Sequence, residues 1–311
     1  MSNIDLAGPA ASIAETTVKR RSPRSHYVLT PYLYMLPALI IFGAFLVYPV
    51  IQSFFYSLQD WDGLNRGTYV GFANYVTLFN DPNFWNSLKV TLFWVAMSGG
   101  ILPLTALGLA LLVDFGVQSR TLSGIARTVL FIPMTISLVV VGLLFTLFYN
   151  PILGVINNVL QRLGLMSMLD LLGDSNTVLM SIFFVAVWQW SGFGMVIFTA
   201  ALQGISGELY DAAKIDGASK WQTIRHVVLP LLVPTYIVIL TLNIIGGFKA
   251  FDLIYVMTAG GPANASQTTS IFLYQQAFIL HKFGYGSTVS VVLFVLVGVV
   301  AMVLNRRRFA A

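Results

Sequence analysis

Cysteine is absent from this chain, which excludes a disulfide framework and any thiolate metal site. Charge is scarce as well. Asp, Glu, Lys and Arg supply 9% of 311 residues against 57% hydrophobic, and the mean hydropathy is +0.80. A water-soluble globule of this length does not manage with so few charges, so the composition implies a polytopic membrane protein. No Gly-Lys dipeptide occurs, so there is no G-x-x-x-x-G-K-[ST] cradle for nucleotide phosphates. The three histidines, His26, His226 and His281, stand alone, without an H-E-x-x-H or clustered carboxylates. No metal site, no cofactor and no catalytic residue set is expected, which disfavours a membrane enzyme. The net charge of +5 raises the question of nucleic acid, but the basic residues flank apolar runs instead of forming a stripe, and membrane topology accounts for them.

What the chain does have is six apolar runs of about the length a bilayer requires: 32–57, 90–113, 128–149, 176–203, 229–256 and 286–305. Residues 1–26 read as a disordered basic cytoplasmic tail, and 27–311 as a single transmembrane domain. A signal peptide is disfavoured, because the first apolar run is too long for an h-region and no A-x-A site follows it. With the N-terminus inside, the cytoplasmic segments hold Lys19, Arg20, Arg21, Arg24, Arg120, Arg127, Lys214, Lys220, Arg225, Arg306, Arg307 and Arg308. The outer segments hold Arg66, Lys89, Arg162 and Lys282. Twelve against four predicts both termini in the cytoplasm. A short amphipathic helix is predicted on the outer surface within 154–173, and Gly260-Gly261-Pro262 stops the fifth run.

The longest polar interruption, Ser206–Pro234, carries Glu208, Asp211, Lys214, Asp216, Lys220 and Arg225. Its residues spell two short helices meeting at a corner. Ser206 caps the first, Gly217 ends it in a left-handed residue, and Ser219 with Gln222 forms a capping box for the second. Pro230 and Pro234 bend the chain into the next run. Such a corner is either an ordinary loop or a docking knob, with Ala212, Ala213 and Ala218 offering a surface of little bulk. The string ELYDAAKIDGASKWQTIRHVVLP, from Glu208 to Pro230, resembles the EAA motif of ABC importer permeases in their carbohydrate-uptake branch. Asp211 stands where that family usually has Glu, which keeps the charge and shortens the reach. VGFANYVTLF at 70–79, FIPMTIS at 131–137, FDLIYVMTAGGP at 251–262 and FGYGSTVSVVLF at 283–294 resemble the same branch, so the likeness covers about residues 30 to 305.

The resemblance implies an all-α membrane protein with six transmembrane helices of the type I importer permease fold and a cytoplasmic coupling-helix corner. It further implies a bacterial plasma-membrane location and partners: a second permease subunit forming a heterodimer, two ATP-binding cassette subunits, and an extracytoplasmic sugar-binding protein. The ATPase would engage Glu208, Tyr210, Asp211, Ala212, Ala213, Asp216, Gly217 and Ala218, with Tyr210 and Trp221 as aromatic anchors. From the residues alone, the fourth run offers Gln189, Trp190 and Phe193, and the fifth offers Asn243, Gly246, Gly247 and Ala250. Aromatic platforms with amides suit the C–H faces and hydroxyls of sugars, but glycines for helix packing and tryptophans for the interface fit the same pattern. The resemblance places these seven residues at a substrate pocket. Lys249 and Asp252 are the ionisable groups within the runs, spaced to pair on one helix or to snorkel. The alternative to an ATP-driven sugar importer is a self-contained carrier or channel for a small polar solute.

Overall fold

The computed structural model describes residues 30–164 and 170–308. The basic tail of residues 1–26, with His26, lies outside the described residues, as do 165–169 in the predicted surface helix, of which Val155–Arg162 is helical. Among the described residues, five helices are long and apolar enough to cross a membrane: Tyr32–Ser57, Pro82–Gly116, Val178–Gln203, Lys220–Phe248 and Phe283–Leu304. A bent pair, Arg120–Thr135 and Leu138–Phe148, makes the third of six crossings. The chain divides into two compact units, residues 1–51 and 52–311. The described part of the first is helical, with a π turn at Gly43–Val47 and exposed apolar side chains such as Tyr34 and Phe45.

Within residues 52–311, local chemistry sets the helix ends. The second crossing begins at Pro82, eight residues before the predicted 90, because the Asp81 side chain accepts from the Asn83 amide at 2.9 Å and proline needs no donor at a first position. It continues past 113 through a π turn, Leu112–Gly116, that takes in Asp114.

Two runs predicted to be continuous are broken. The third, predicted over 128–149, bends by 96° after Thr135. Pro133 cannot donate in that turn, and Ile136 turns extended, with its amide on the Pro133 carbonyl at 3.2 Å. Gln189 of the fourth crossing donates its Nε2 to the freed Ile136 carbonyl at 2.9 Å. The fifth run, predicted over 229–256, starts at Lys220 and stops at Phe248, and Asp252–Thr258 is a separate helix. At its start, a π turn at Ile224–Val228 precedes Pro230, so the missing amide falls at a helix junction. At its end, Ser270 Oγ donates to the Phe248 carbonyl at 3.3 Å and Thr268 Oγ1 to the Ala250 carbonyl at 2.9 Å. Thr91 anchors that donor segment to the second crossing, accepting from the Thr269 amide at 2.8 Å.

Helix packing is closest where side chains vanish. A Cβ on Gly192 would lie 1.9 Å from the Leu130 carbonyl oxygen, so the third and fourth crossings touch backbone to side-chain-free backbone. Two apolar clusters fill the interior, one around Trp94, Ile182, Phe183 and Ile254, the other around Ala110, Met195, Phe198 and Val228. A third, smaller one joins Leu78, Phe84, Phe272 and Val289. Beside it the segments 70–79 and 283–294 meet at the end of the first helix: Asn74 Nδ2 donates to the carbonyls of Ser57 and Gln59, and Thr288 Oγ1 to that of Ser57.

Gly192→Ala is expected to force the third and fourth crossings apart and to destabilise the protein by about 1–3 kcal/mol, as overpacking does. Gly100, with no atom within 4 Å of a built Cβ, is the control. Gly100→Ala leaves the melting temperature of the detergent-solubilised protein unchanged or raised.

Candidate functional site

The corner folds as its spelling dictates. Ser206 accepts from the Glu208 amide at 3.3 Å and opens the helix Gly207–Ile215. The helix closes in a Schellman motif: Gly217, at φ +74°, donates to the Lys214 carbonyl at 3.0 Å, and Ala218 to the Ala213 carbonyl at 2.9 Å. Ser219 and Gln222 then complete the capping box, with bonds of 2.7 and 3.3 Å. The amides of Asp216, Gly217, Ala218 and Ser219 are thereby all paired within the corner.

Its predicted contact residues face different ways. Glu208, Asp211, Ala212, Asp216 and Gly217 are exposed and Ala218 is half-buried. Asp211 pairs with Lys214 on its own helix at 3.0 Å, while Asp216 makes no ion pair among the described residues. Ala213 and Tyr210 depart from the prediction. Ala213 is buried, and Tyr210 turns inward, its ring 6.3 Å from that of Phe115. Burial first, and the Asp114 charge second, push the Tyr210 phenol above its usual value. Ile215, 87% exposed, Trp221, 65% exposed, and Leu209, 43% exposed, are the large apolar groups left outside, and Ile215 gave no sequence signal beyond its place in the helix. Between the corner helix and the base of the fifth crossing lies a cleft of about 460 Å³, walled by Ala212, Asp216, Gly217 and His226 among others.

A second concavity, about 300 Å³, lies between the second, fourth and fifth crossings. It gathers Trp190, Phe193, Asn243, Gly246, Gly247 and Ala250. Trp190 and Phe193 stand edge to face, centroids 6.5 Å apart. Asn243 spends its Nδ2 on the Ile239 carbonyl at 2.9 Å. Gln189 does not join them. It is 1% exposed, its Nε2 serves the Ile136 carbonyl, and its Oε1 is buried without a partner, so it braces the break in the third crossing. Residues 189 and 190 are adjacent on one helix and so point about 100° apart, which is why one braces and the other lines.

The wall also contains residues not singled out beforehand. Trp94 and Ser98 come from the second crossing, whose small and aromatic residues carry no mark distinguishing them from core. Lys249 and Asp252 line the cavity too, and no ion pair joins them. The break between the two helices explains this. Lys249 caps the C-terminus of one helix and Asp252 opens the next, so each charge meets the favourable end of a backbone dipole.

The model of the family described as "Binding-protein-dependent transport system inner membrane component" matches residues 106–309. The chain is 35% identical to the "Probable ABC transporter permease protein YurN" of Bacillus subtilis (strain 168), over 90% of this chain and 96% of that one. It is 32% identical to the "Lactose transport system permease protein LacF" of Rhizobium radiobacter, over 92% and 96%. A solved bacterial alginate ABC transporter, in complex with an alginate pentasaccharide-bound periplasmic protein, contains a chain similar at TM-score 0.82 and 25% identity, covering 91% of this chain and 96% of that one.

Replacing Gln189 by Met strips the Ile136 carbonyl of its donor. A cost of about 1–3 kcal/mol in stability is expected, reduced where loss of the unpaired Oε1 compensates. The cavity itself is expected to keep its lining, since the residue makes no cavity wall. Thermal melting, and thiol labelling of a Leu242→Cys variant on the cavity wall, separate the two effects.

Proposed function

The chain belongs to the family of binding-protein-dependent transport system inner membrane components, and from that premise we infer how its two concavities divide the work of an ATP-driven sugar importer. It is a multi-pass permease subunit of the carbohydrate-uptake kind. The 300 Å³ cavity is its substrate site, and the 206–230 corner is where a separate ATPase delivers force. The observation that carries this is the corner itself: a helix closed by hydrogen bonds at both ends, holding out Asp216, Ile215 and Trp221, in a chain without a phosphate-binding loop. A second permease subunit completes the pathway as a heterodimer, two ATP-binding cassette subunits act below, and an extracytoplasmic binding protein delivers the sugar. The twelve-to-four distribution of basic residues supports a cytoplasmic corner and cytoplasmic termini.

At the cavity, Trp190 and Phe193 offer ring faces to sugar C–H groups, and Trp94 adds a third aromatic side chain to the wall. Asn243 supplies an acceptor from its amide oxygen, and Gly246, Gly247 and Ala250 leave room along the fifth crossing. Lys249 and Asp252 add a donor and an acceptor of full charge to hold hydroxyls, freed for this by not pairing with each other. At the corner, Glu208, Asp211, Ala212, Asp216, Gly217 and Ala218 meet the ATPase directly, while Tyr210 and Ala213 hold the helix to its own protein.

Proteoliposomes containing the two permeases and the ATPase, supplied with binding protein and sugar, are expected to accumulate sugar only with ATP. Uptake by this chain alone would establish a self-contained carrier instead. Because the chain has no native cysteine, a single Ala212→Cys is expected to crosslink to the ATPase, whereas Ala213→Cys, being buried, is expected to react slowly. Gly217→Val forces a β-branched residue to φ +74°, costing about 1–3 kcal/mol locally, and is expected to cut uptake with the subunit still in the membrane.

A further inference from the structure

Between the corner and the cavity lies a polar cluster that neither role above uses. Asp114 sits in the π turn that ends the second crossing. The Arg127 guanidinium, from the third crossing, donates through Nη2 to Asp114 Oδ1. Thr199, buried on the fourth crossing, donates through Oγ1 to Asp114 Oδ2 at 3.1 Å. One carboxylate thus holds two other helices, one on each oxygen. The pair is largely withdrawn from solvent, at 16% side-chain exposure for Asp114 and 30% for Arg127, and the Arg127 Nε is buried with no partner. The exposed Lys214–Asp211 pair, at 75% and 71%, is by contrast screened and readily exchanged. Removing one partner of a sheltered pair leaves an uncompensated charge, so Asp114 and Arg127 stand or fall together, with Thr199 adding a neutral hydrogen bond to the same carboxylate.

Its position is what gives it meaning. Phe115, next in sequence to Asp114, packs its ring against Tyr210, the inward residue of the corner helix. In the other direction, Asp114 is about 12 Å along its helix from Ala106, and Thr199 about 9 Å along its own from Phe193, at a rise of 1.5 Å per residue. Ala106 and Phe193 both line the cavity. The cluster therefore joins the corner to the two adjoining cavity walls at the ends of the helices that carry them.

We propose that Asp114, with Arg127 and Thr199, is a positioning cluster that carries displacement of the corner helix into the second and fourth crossings together, so that the cavity walls move as one body. This rests on the reading of the corner as the point of ATPase engagement. A staple that only held the fold would, when weakened, lower assembly and ATP hydrolysis together. A transmitting cluster, when weakened, separates hydrolysis from movement at the cavity.

The test uses the complete importer complex with Leu242→Cys as reporter, because Leu242 lines the cavity and is exposed in a chain without other cysteines. The labelling rate by a membrane-impermeant methanethiosulfonate is measured before and after trapping the ATPase with ATP and vanadate, a probe that needs no knowledge of the sugar. Trapping is expected to change the rate in the otherwise unaltered complex, and absence of any change there would sink the corner reading itself. In Asp114→Asn and Arg127→Gln the trapping-dependent change is expected to shrink by about fivefold or more with hydrolysis retained. The exchange Asp114→Arg with Arg127→Asp is expected to restore part of it. Thr199→Val, which keeps shape and removes one hydrogen bond, is expected to shrink the change by about twofold. An undiminished change in Thr199→Val overturns the proposal whether or not the charge variants assemble, and an undiminished change in Asp114→Asn does so as well.

Discussion

A backbone carbonyl or amide left without a partner in an apolar medium costs several kcal/mol, and this constraint governs the architecture. Unbroken helices satisfy it for themselves. The two interrupted crossings cannot, and each is completed by a side chain from elsewhere. The Ile136 carbonyl takes a donor 53 residues away in Gln189, and the Ala250 carbonyl takes one 18 residues on in Thr268. These bonds let the chain bend beside the cavity without leaving naked backbone there. The cavity exists because the breaks are paired off.

The corner obeys the same rule with its own residues. The Schellman closure at Gly217 and the box of Ser219 and Gln222 use groups within a few positions of one another, so this piece is defined locally and joined to the rest through Tyr210, Ala213 and the start of the fifth crossing. A locally closed element can be pushed as a rigid body, since its hydrogen bonds do not depend on what lies beneath. The charged cluster at Asp114 is the opposite case, made by three helices distant in sequence.

That contrast also explains what could be read from the sequence. The apolar runs, the caps of the corner and the left-handed Gly217 depend on neighbours within four or five positions, and they fold as spelled. Six of the seven expected pocket residues share one cavity, because the faces of two regular helices follow from their spacing. Gln189 could not be placed, since its role is set by a carbonyl that only the break in another crossing exposes. The breaks themselves escaped because the 128–149 and 229–256 runs are apolar on average, and mean hydropathy is blind to where helix gives way to a turn. Asp114 lay one residue beyond the expected end of its run, and its partners are tertiary. Lys249 and Asp252 looked like a pair at i, i+3 until the helix between them ended.

The fourth crossing keeps what holds the subunit together apart from what shapes its cavity. Gln189 and Gly192 lie against the third crossing and admit almost no change, whereas Trp190 and Phe193, one position along in each case, border open space. One turn of helix thus offers a fixed side and a free side. Substitutions on the free side can reshape the cavity without renegotiating how the subunit is built, so its lining is at liberty to drift while the scaffold around it stays put.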